Sequence, residues 1–306
     1  MKRLWVTGLD GFVGRVVQES IERGEAGNRF QLVVPNTAMD LLDPASLDRA
    51  ISDTRPDFVL HLAGQSFVPT AISDPRATYN VNFWGTLNLL EALERGGFNG
   101  RMLYVGSGEV YGLVEATDLP VAETRALKPR NPYAVSKAAA ELLCGQWSQA
   151  HGFEVVLARP FNHVGPGQAD WFVVSDFAKQ VAEIKLGLRE PVIYVGAIDV
   201  TRDFTDVRDV VRAYFMLLEN GEGAEAYNVC SGLEQSVRTI LERLIALAAV
   251  ECRIEQQSGR LRPSEQKRMC GSFSKLNRRA GWHPEIEMDR SLRDVLAHWE
   301  SKLKHG

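Results

Sequence analysis

Short apolar runs of strand length alternate with stretches of helical spacing through the first half of the chain. Leu4-Trp5-Val6 is followed by Val16, Val17 and Ile21 one helical face apart, and Phe30 to Val34 by a helix that Asp43-Pro44 opens and that runs through Ile51. Phe58 to Leu62 precedes a long helix from Arg76 to Leu93, with Val81, Leu87 and Leu90 on one face. Met102 to Val105 precedes a helix that Asn131-Pro132 opens and that runs on to Trp147, and Val155 to Ala158 is the next strand. Apolar strands separated by helices in this rhythm predict an α/β chain built on a parallel sheet. Beyond about residue 160 the pattern loosens. Helices Val174 to Leu186, Val207 to Leu218, Val237 to Ala248 and about Ser291 to Leu303, with strands Val192 to Val195 and Ala226 to Val229, are interleaved with loops. No repeat or low-complexity linker separates the halves, so a second unit is interleaved with the first rather than tethered to it.

The turn between the first strand and the first helix reads Thr7-Gly8-Leu9-Asp10-Gly11-Phe12-Val13-Gly14. Glycines in that place allow a tight turn, bring backbone amides up to a pyrophosphate and let helix and sheet pack closely, which points to a dinucleotide. The second strand ends in Pro35-Asn36-Thr37. An acid there would hold the ribose hydroxyls of NAD and repel a 2′-phosphate. Its absence permits NADP, although no arginine at that tip demands it.

A second cluster follows the later strands. Asn131 caps a helix whose first turn accepts Pro132, and Tyr133 and Lys137 lie four apart on one face. An ammonium and the positive end of the helix dipole beside a phenol both favour phenolate, so this tyrosine is expected to exchange a proton near neutral pH. The spacing by itself also arises by chance. Ser107 and Glu109, in Gly106-Ser107-Gly108-Glu109, follow the carboxyl end of a strand, where ligands sit in open parallel sheets. Asn82 lies beside the apolar stripe of its helix, as a solvated polar group or as a support below the site. Two segments read as loops rich in positive charge, Val200-Thr201-Arg202-Asp203-Phe204 and Gly259-Arg260-Leu261-Arg262-Pro263-Ser264-Glu265. They would hold a diphosphate if they faced one cleft. From spacing alone, surface arginines paired to Asp203 and Glu265 are the simpler reading.

The chain has 306 residues, 45% of them hydrophobic and 24% charged, with a net charge of -4. That is the make-up of a soluble enzyme, not of a nucleic-acid binder, and an anionic ligand must be met by a local arginine cluster. Cys144, Cys230, Cys252 and Cys270 are scattered without metal-ligand spacing, so no metal is expected and reduced thiols of a cytoplasmic protein are. Thr7, Gly8, Asp10 and Gly11 break the first apolar stretch too early for a signal peptide, and no later run reaches membrane length.

The glycine turn, Ser107, the Tyr133/Lys137 pair and the position of Asn82 together resemble the extended short-chain dehydrogenase/reductase family, over essentially the whole chain. The resemblance implies a Rossmann-type doubly wound parallel sheet with a smaller interleaved C-terminal α/β lobe that grips a nucleotide sugar. Residues 1–160, with about 196–222 returning to them, would bind the dinucleotide, and residues 161–306 would mainly form the sugar-nucleotide lobe. The implied cofactor is NADPH, with NADH as the alternative. Gly8, Gly11 and Gly14 would hold its pyrophosphate, with Phe12 and Val13 in the same turn, and Asp40 and Leu41 would flank the adenine. Leu62, Ala63 and Gly64 would pass beneath the nicotinamide ribose, with Asn82 in support, and Lys137 would bind that ribose while Tyr133 handles the proton.

Asn162 in Phe-Asn-His, Arg202 in Arg-Asp-Phe-Thr-Asp and Arg262-Pro263-Ser264-Glu265 are similar to the GDP-sugar branch, which holds the GDP-mannose 4,6-dehydratases and the reductases that act on their product. The resemblance is nearer to the reductases and turns the arginine segments toward the substrate. Asn162, Arg202 and Arg262 would contact its nucleotide and phosphates, with Pro263 and Ser264 beside them, and Glu265 would lie near the guanosine ribose. Ser107, Gly108 and Glu109 would meet the sugar, with Ser107, Glu109, Tyr133 and Lys137 forming the catalytic group. The implied reaction is NAD(P)H-dependent reduction of the C4 ketone of GDP-4-keto-6-deoxy-D-mannose to GDP-D-rhamnose, a step toward surface polysaccharide. Glu109 keeps dehydration open as the alternative, because the matching segment of the dehydratases supplies the base and acid of water loss. Against it, the stretch after Phe30 lacks their arginine-rich loop, and no cysteine of the epimerase-reductases stands between Ser107 and Tyr111. A dinucleotide sensor without turnover is a third reading, opposed by a tuned phenol. The helices around Thr86 to Leu93 and Ala138 to Trp147 imply a homodimer.

Overall fold

Strand β1 (Lys2–Thr7) buries Leu4 and Val6 toward one face of a sheet and Trp5 toward the other, as a central parallel strand does. The computed structural model describes residues 1–260 and 266–305. After β1 the chain runs α1 (Phe12–Glu22), β2 (Phe30–Val33), α2 (Pro44–Thr54), β3 (Phe58–His61), α3 (Val68–Ser73) and α4 (Pro75–Tyr79). A π turn, Asn80–Trp84, joins α4 to α5 (Gly85–Arg95), followed by β4 (Arg101–Val105), α6 (Pro132–Ala150), β5 (Glu154–Pro160), β6 (Asn162–Val164) and α7 (Val173–Lys185). The last part holds β7 (Val192–Val195), β8 (Thr201–Asp206), α8 (Val207–Asn220), β9 (Ala226–Val229), β10 (Glu234–Ser236), α9 (Val237–Ala248), β11 (Arg253–Gln256), α10 (Ser274–Ala280) and α11 (Met288–His305).

Six strands form one parallel sheet in the order β2-β1-β3-β4-β5-β9. The order reverses between β1 and β3, which opens the crevice where ligands of such sheets bind. Residues of α1, α8 and α10, among them Val17, Val210, Tyr214 and Leu276, cover one face. Residues of α2, α5 and α6, among them Leu47, Leu90, Ala140 and Trp147, cover the other, so the doubly wound α/β sheet expected from the sequence is the one observed. A separate core of α7, α9 and α11, around Phe177, Leu241 and Leu292, supports a smaller unit with two further sheets, β10-β8-β6 and β11-β7.

Two expectations about elements are corrected. The helix expected from Arg76 to Leu93 is interrupted by the π turn, which places one extra residue where Asn82 leaves the helical face. The segment around Arg202 and Asp203, expected as a loop, is strand β8, paired parallel to β6 and antiparallel to β10. No described helix is long and apolar enough to cross a membrane, and all four cysteines are free, three of them buried.

Candidate active site

The glycine turn, the end of β2 and the end of β3 enclose a cleft of about 750 Å³. Gly8 has φ +74°, and a Cβ on it would stand 2.8 Å from the Ala63 nitrogen. A Cβ on Gly14 would stand 2.4 Å from the Gly8 oxygen. The first glycine therefore lets β1 and the β3 loop meet, and the last lets α1 start against the turn. Asn36, Thr37, Asp40 and Leu41 line the far part of the cleft, and Ala63, Gly64 and Gln65 the near part; no lysine or arginine is among its lining residues. Leu62 packs its side chain into the sheet core. Phe12, at the start of α1, stacks on His163 with ring centres 6.0 Å apart. Gln65 was not expected from the sequence. Its Nε2 donates to the Phe67 carbonyl at 3.0 Å and to Thr78 Oγ1 at 3.2 Å, while its Oε1 is buried with no partner. A glycine cradle at a helix N-terminus and an orphaned acceptor on the same wall fit a dinucleotide, which brings a pyrophosphate and hydroxyl donors.

Asn82 ties the cleft to the helix that carries Tyr133. Its Oδ1 accepts from the Gln65 N–H at 2.8 Å, and its Nδ2 donates to the Gln65 carbonyl and to Ser136 Oγ, both at 2.9 Å. Ser136 Oγ donates to the Tyr133 carbonyl at 2.7 Å. A Cβ on Gly64 would come within 2.9 Å of Asn82 Oδ1 and 3.5 Å of Lys137 Nζ, so the lysine stands next to Gly64 without itself lining the cleft.

Helix α6 starts as its sequence predicts, with Asn131 Oδ1 accepting from the Ala134 N–H at 2.8 Å and Pro132 in the first turn. Tyr133 is buried with 9% of its surface exposed. Its phenol is hydrogen-bonded to Ser107 and lies within electrostatic reach of Glu109. Burial pushes its pKa up to about 12 against the opposing effect of the Ser107 bond. The expectation of a phenol drawn toward neutrality by Lys137 is thereby corrected. The ammonium instead donates to the Val105 carbonyl at 2.8 Å and sits 5.3 Å over the Tyr104 ring, and burial lowers its own pKa to about 8.

Ser107 caps a short 3₁₀ turn, Gly108–Tyr111, accepting from the Glu109 N–H at 3.2 Å. Gly108 is buried against the Phe161 ring, whereas Glu109 is exposed. Across the same space, Arg202 Nη1 donates to the Thr201 carbonyl at 2.7 Å and the Gln266 carbonyl at 3.2 Å, and the Glu109 carboxylate offsets part of the cost of burying its charge. Asp203 points to the other face of β8. It accepts from the N–H groups of Ser231, Gly232 and Gly271 at 2.7, 3.0 and 3.1 Å and from Ser231 Oγ at 2.6 Å, so the simple Arg202–Asp203 pair does not form. Asn162 is exposed on β6, in register with Phe204 of β8. Arg262, Pro263, Ser264 and Glu265 lie outside the described residues. Among the described residues no group of three or more His, Cys, Asp or Glu is arranged to hold a metal.

The profile of the family described as GDP-mannose 4,6 dehydratase matches residues 18–295. The chain belongs to that family. Within it, the chain is 48% identical over 303 residues to GDP-6-deoxy-D-mannose reductase of Pseudomonas aeruginosa, covering 99% of each, and is its homologue. The solved structure of RMD from Pseudomonas aeruginosa complexed with NADPH matches with a TM-score of 0.95, over 99% of this chain and 100% of that one, so the extended short-chain dehydrogenase/reductase fold is shown. GDP-mannose 4,6-dehydratase of Yersinia enterocolitica is more distant, 29% identical over 84% of this chain and 77% of its own.

Proposed function

We propose that this member of the family is an NADPH-dependent reductase that converts the C4 ketone of GDP-4-keto-6-deoxy-D-mannose to GDP-D-rhamnose in the cytoplasm. The observation that carries the reading is the Ser107–Tyr133 hydrogen bond beside the glycine-turn cleft, in a chain that matches a reductase of this substrate class from end to end. Gly8, Gly11 and Gly14 would hold the pyrophosphate, Asp40 and Leu41 the adenosine, and Ala63, Gly64, Gln65 and Lys137 the nicotinamide end. Bound NADPH supplies the hydride.

The chain's own residues supply orientation and a proton. Ser107 donates to the ketone oxygen as charge develops there, and Tyr133 delivers its proton to that oxygen. A phenol with its pKa near 12 is fully protonated at neutral pH, the form that a reduction needs. Lys137, beside Gly64, would hold the nicotinamide ribose in place. Asn162 and Arg202 meet the nucleotide and its phosphates, and Glu109 stands beside the sugar. Dehydration remains the second reading because Glu109 is retained, exposed and within electrostatic reach of Tyr133. Exposed Trp84, Val135 and Leu142 on neighbouring elements support a homodimer.

The test is consumption of NADPH or NADH by the purified protein with the 4-keto sugar. One GDP-rhamnose formed per reduced cofactor lost is expected. Silence there, with keto-sugar released from GDP-mannose by catalytic NADP, would instead establish a dehydratase.

A further inference from the structure

His61 ends β3 in the middle of the sheet, between Thr7 of β1 and Tyr104 of β4, and is 2% exposed. A polar ring in such a place is costly unless both nitrogens are satisfied. Here Nδ1 lies 2.7 Å from Thr7 Oγ1 and Nε2 lies 3.0 Å from Thr86 Oγ1. The two hydroxyls settle which nitrogen carries the hydrogen. Thr86 Oγ1 gives its single proton to the Asn82 carbonyl at 2.7 Å, so toward His61 it can only accept, and Nε2 must donate. Nδ1 is then a lone pair. Thr7 donates to it, and Thr7 in turn accepts the Ala63 N–H at 3.2 Å.

Every bond thus points one way: Ala63 N–H to Thr7, Thr7 to His61, His61 to Thr86, and Thr86 to the Asn82 carbonyl. Burial first, and then the charge of Lys137, push the imidazole pKa down to about 3, which keeps the ring neutral and the order intact. One end of the chain is the wall of the cleft at Ala63. The other is the π turn, whose Asn82 side chain holds Gln65 and Ser136, and Ser136 holds the Tyr133 carbonyl.

We propose that His61, as its Nε2–H tautomer, is a positioning residue that fixes the spacing between the cofactor seat at Ala63 and the helical turn carrying Tyr133. The proposal rests on the reading of Tyr133 as proton donor. His61 does not line the cleft and touches neither reactant. It acts by removing slack from a path that otherwise consists of two loops and a π turn, and misplacement by about 1 Å can cost on the order of 100-fold in rate.

The tautomer is read on the unmodified protein by ¹⁵N NMR, with His61→Gln used to assign the signal. A protonated Nε2, a bare Nδ1 and no titration between about pH 5 and 9 are expected. A hydrogen on Nδ1, or titration in that range, overturns the proposal. Thr86→Val keeps the side-chain shape and breaks the path, and Thr86→Ser restores it. The valine variant should lose about 10- to 100-fold in kcat with the sugar KM within about threefold, and the serine variant should recover to within about threefold of the parent. A valine variant within twofold of the parent, or a serine variant as slow as the valine one, overturns the positioning role. If the valine variant fails to fold, Thr7→Val is read in the same way, and the NMR result on the parent still decides. A parent that reduces no ketone while showing the expected tautomer and binding NADPH would mark a failure of the functional reading instead.

Discussion

A phenol that must give a proton to a ketone has to hold that proton at the working pH, and Tyr133 does so because burial outweighs the Ser107 bond. The Tyr-x-x-x-Lys spacing correctly brings the two residues to one helix face but misses where the ammonium goes. Lys137 is drawn to the Val105 carbonyl and the face of Tyr104, partners on another strand that spacing within one helix cannot reveal. The residue that titrates in the accessible range is then Lys137, near pH 8. As pH rises past that value the charge that would hold the nicotinamide ribose beside Gly64 is lost. The parent should therefore show a falling alkaline limb in kcat with an apparent pKa near 8, while Tyr133 remains protonated throughout. Lys137→Met should lose about 100-fold or more in kcat at neutral pH and show no such limb. The stability effect has a definite sign as well. With the folded pKa near 8 and the ordinary value 10.5, the unfolded chain binds more protons between them, so stability rises with pH across that window. In Lys137→Met this rise should vanish from denaturant midpoints measured across the same window. An unchanged alkaline limb in the variant would remove Lys137 from the mechanism.

At the scale of elements, the start of α6 carries more than helix stability, because Tyr133 lies two residues past the cap. Removing the cap in Asn131→Ala should cost about 1 kcal/mol. In a chain of this size that lowers the melting temperature by roughly 1–2 °C. Fraying of the first turn should also reduce kcat several-fold without weakening NADPH binding, and Asn131→Asp, which keeps the accepting oxygen, should restore both. A loss of kcat no larger in Asn131→Ala than in Asn131→Asp would show that the cap does not govern the phenol. This cap was legible because Asn-Pro is a local signal. The π turn was not: Val81, Leu87 and Leu90 fit an ordinary helix, and the distortion serves Asn82 contacts to Gln65 and Ser136, which are 17 and 54 residues away. Strand β8 escaped for a related reason. Neither face of Arg202-Asp203 is apolar, and Asp203 is satisfied by donors near residues 231 and 271 that no local pattern announces. His61 stood in plain view in a buried strand, yet its role depends on two threonines brought up by β1 and α5.

At the scale of the whole molecule, one layer of helices is left open. Val135 and Leu142, seven residues apart on the outer face of α6, are 38% and 66% exposed, and Trp84 of the adjoining π turn is 52% exposed. Tyr133 and Lys137 occupy the inner face of the same helix. Three large apolar side chains at one helical seam are costly to leave in water, and a second copy meeting the seam about a twofold axis would cover them in both subunits at once. Such a contact would also buttress α6 from behind the phenol. In sedimentation at micromolar concentration the parent should therefore run at about twice its 34.0 kDa mass. Trp84→Glu combined with Leu142→Glu should run as a folded monomer with NADPH affinity nearly intact, because neither side chain lines the glycine-turn cleft. Its kcat should fall, since α6 would lose its outer support while keeping its inner contacts. A parent that sediments as a monomer would refute the dimer, and a monomeric variant with full kcat would separate assembly from catalysis.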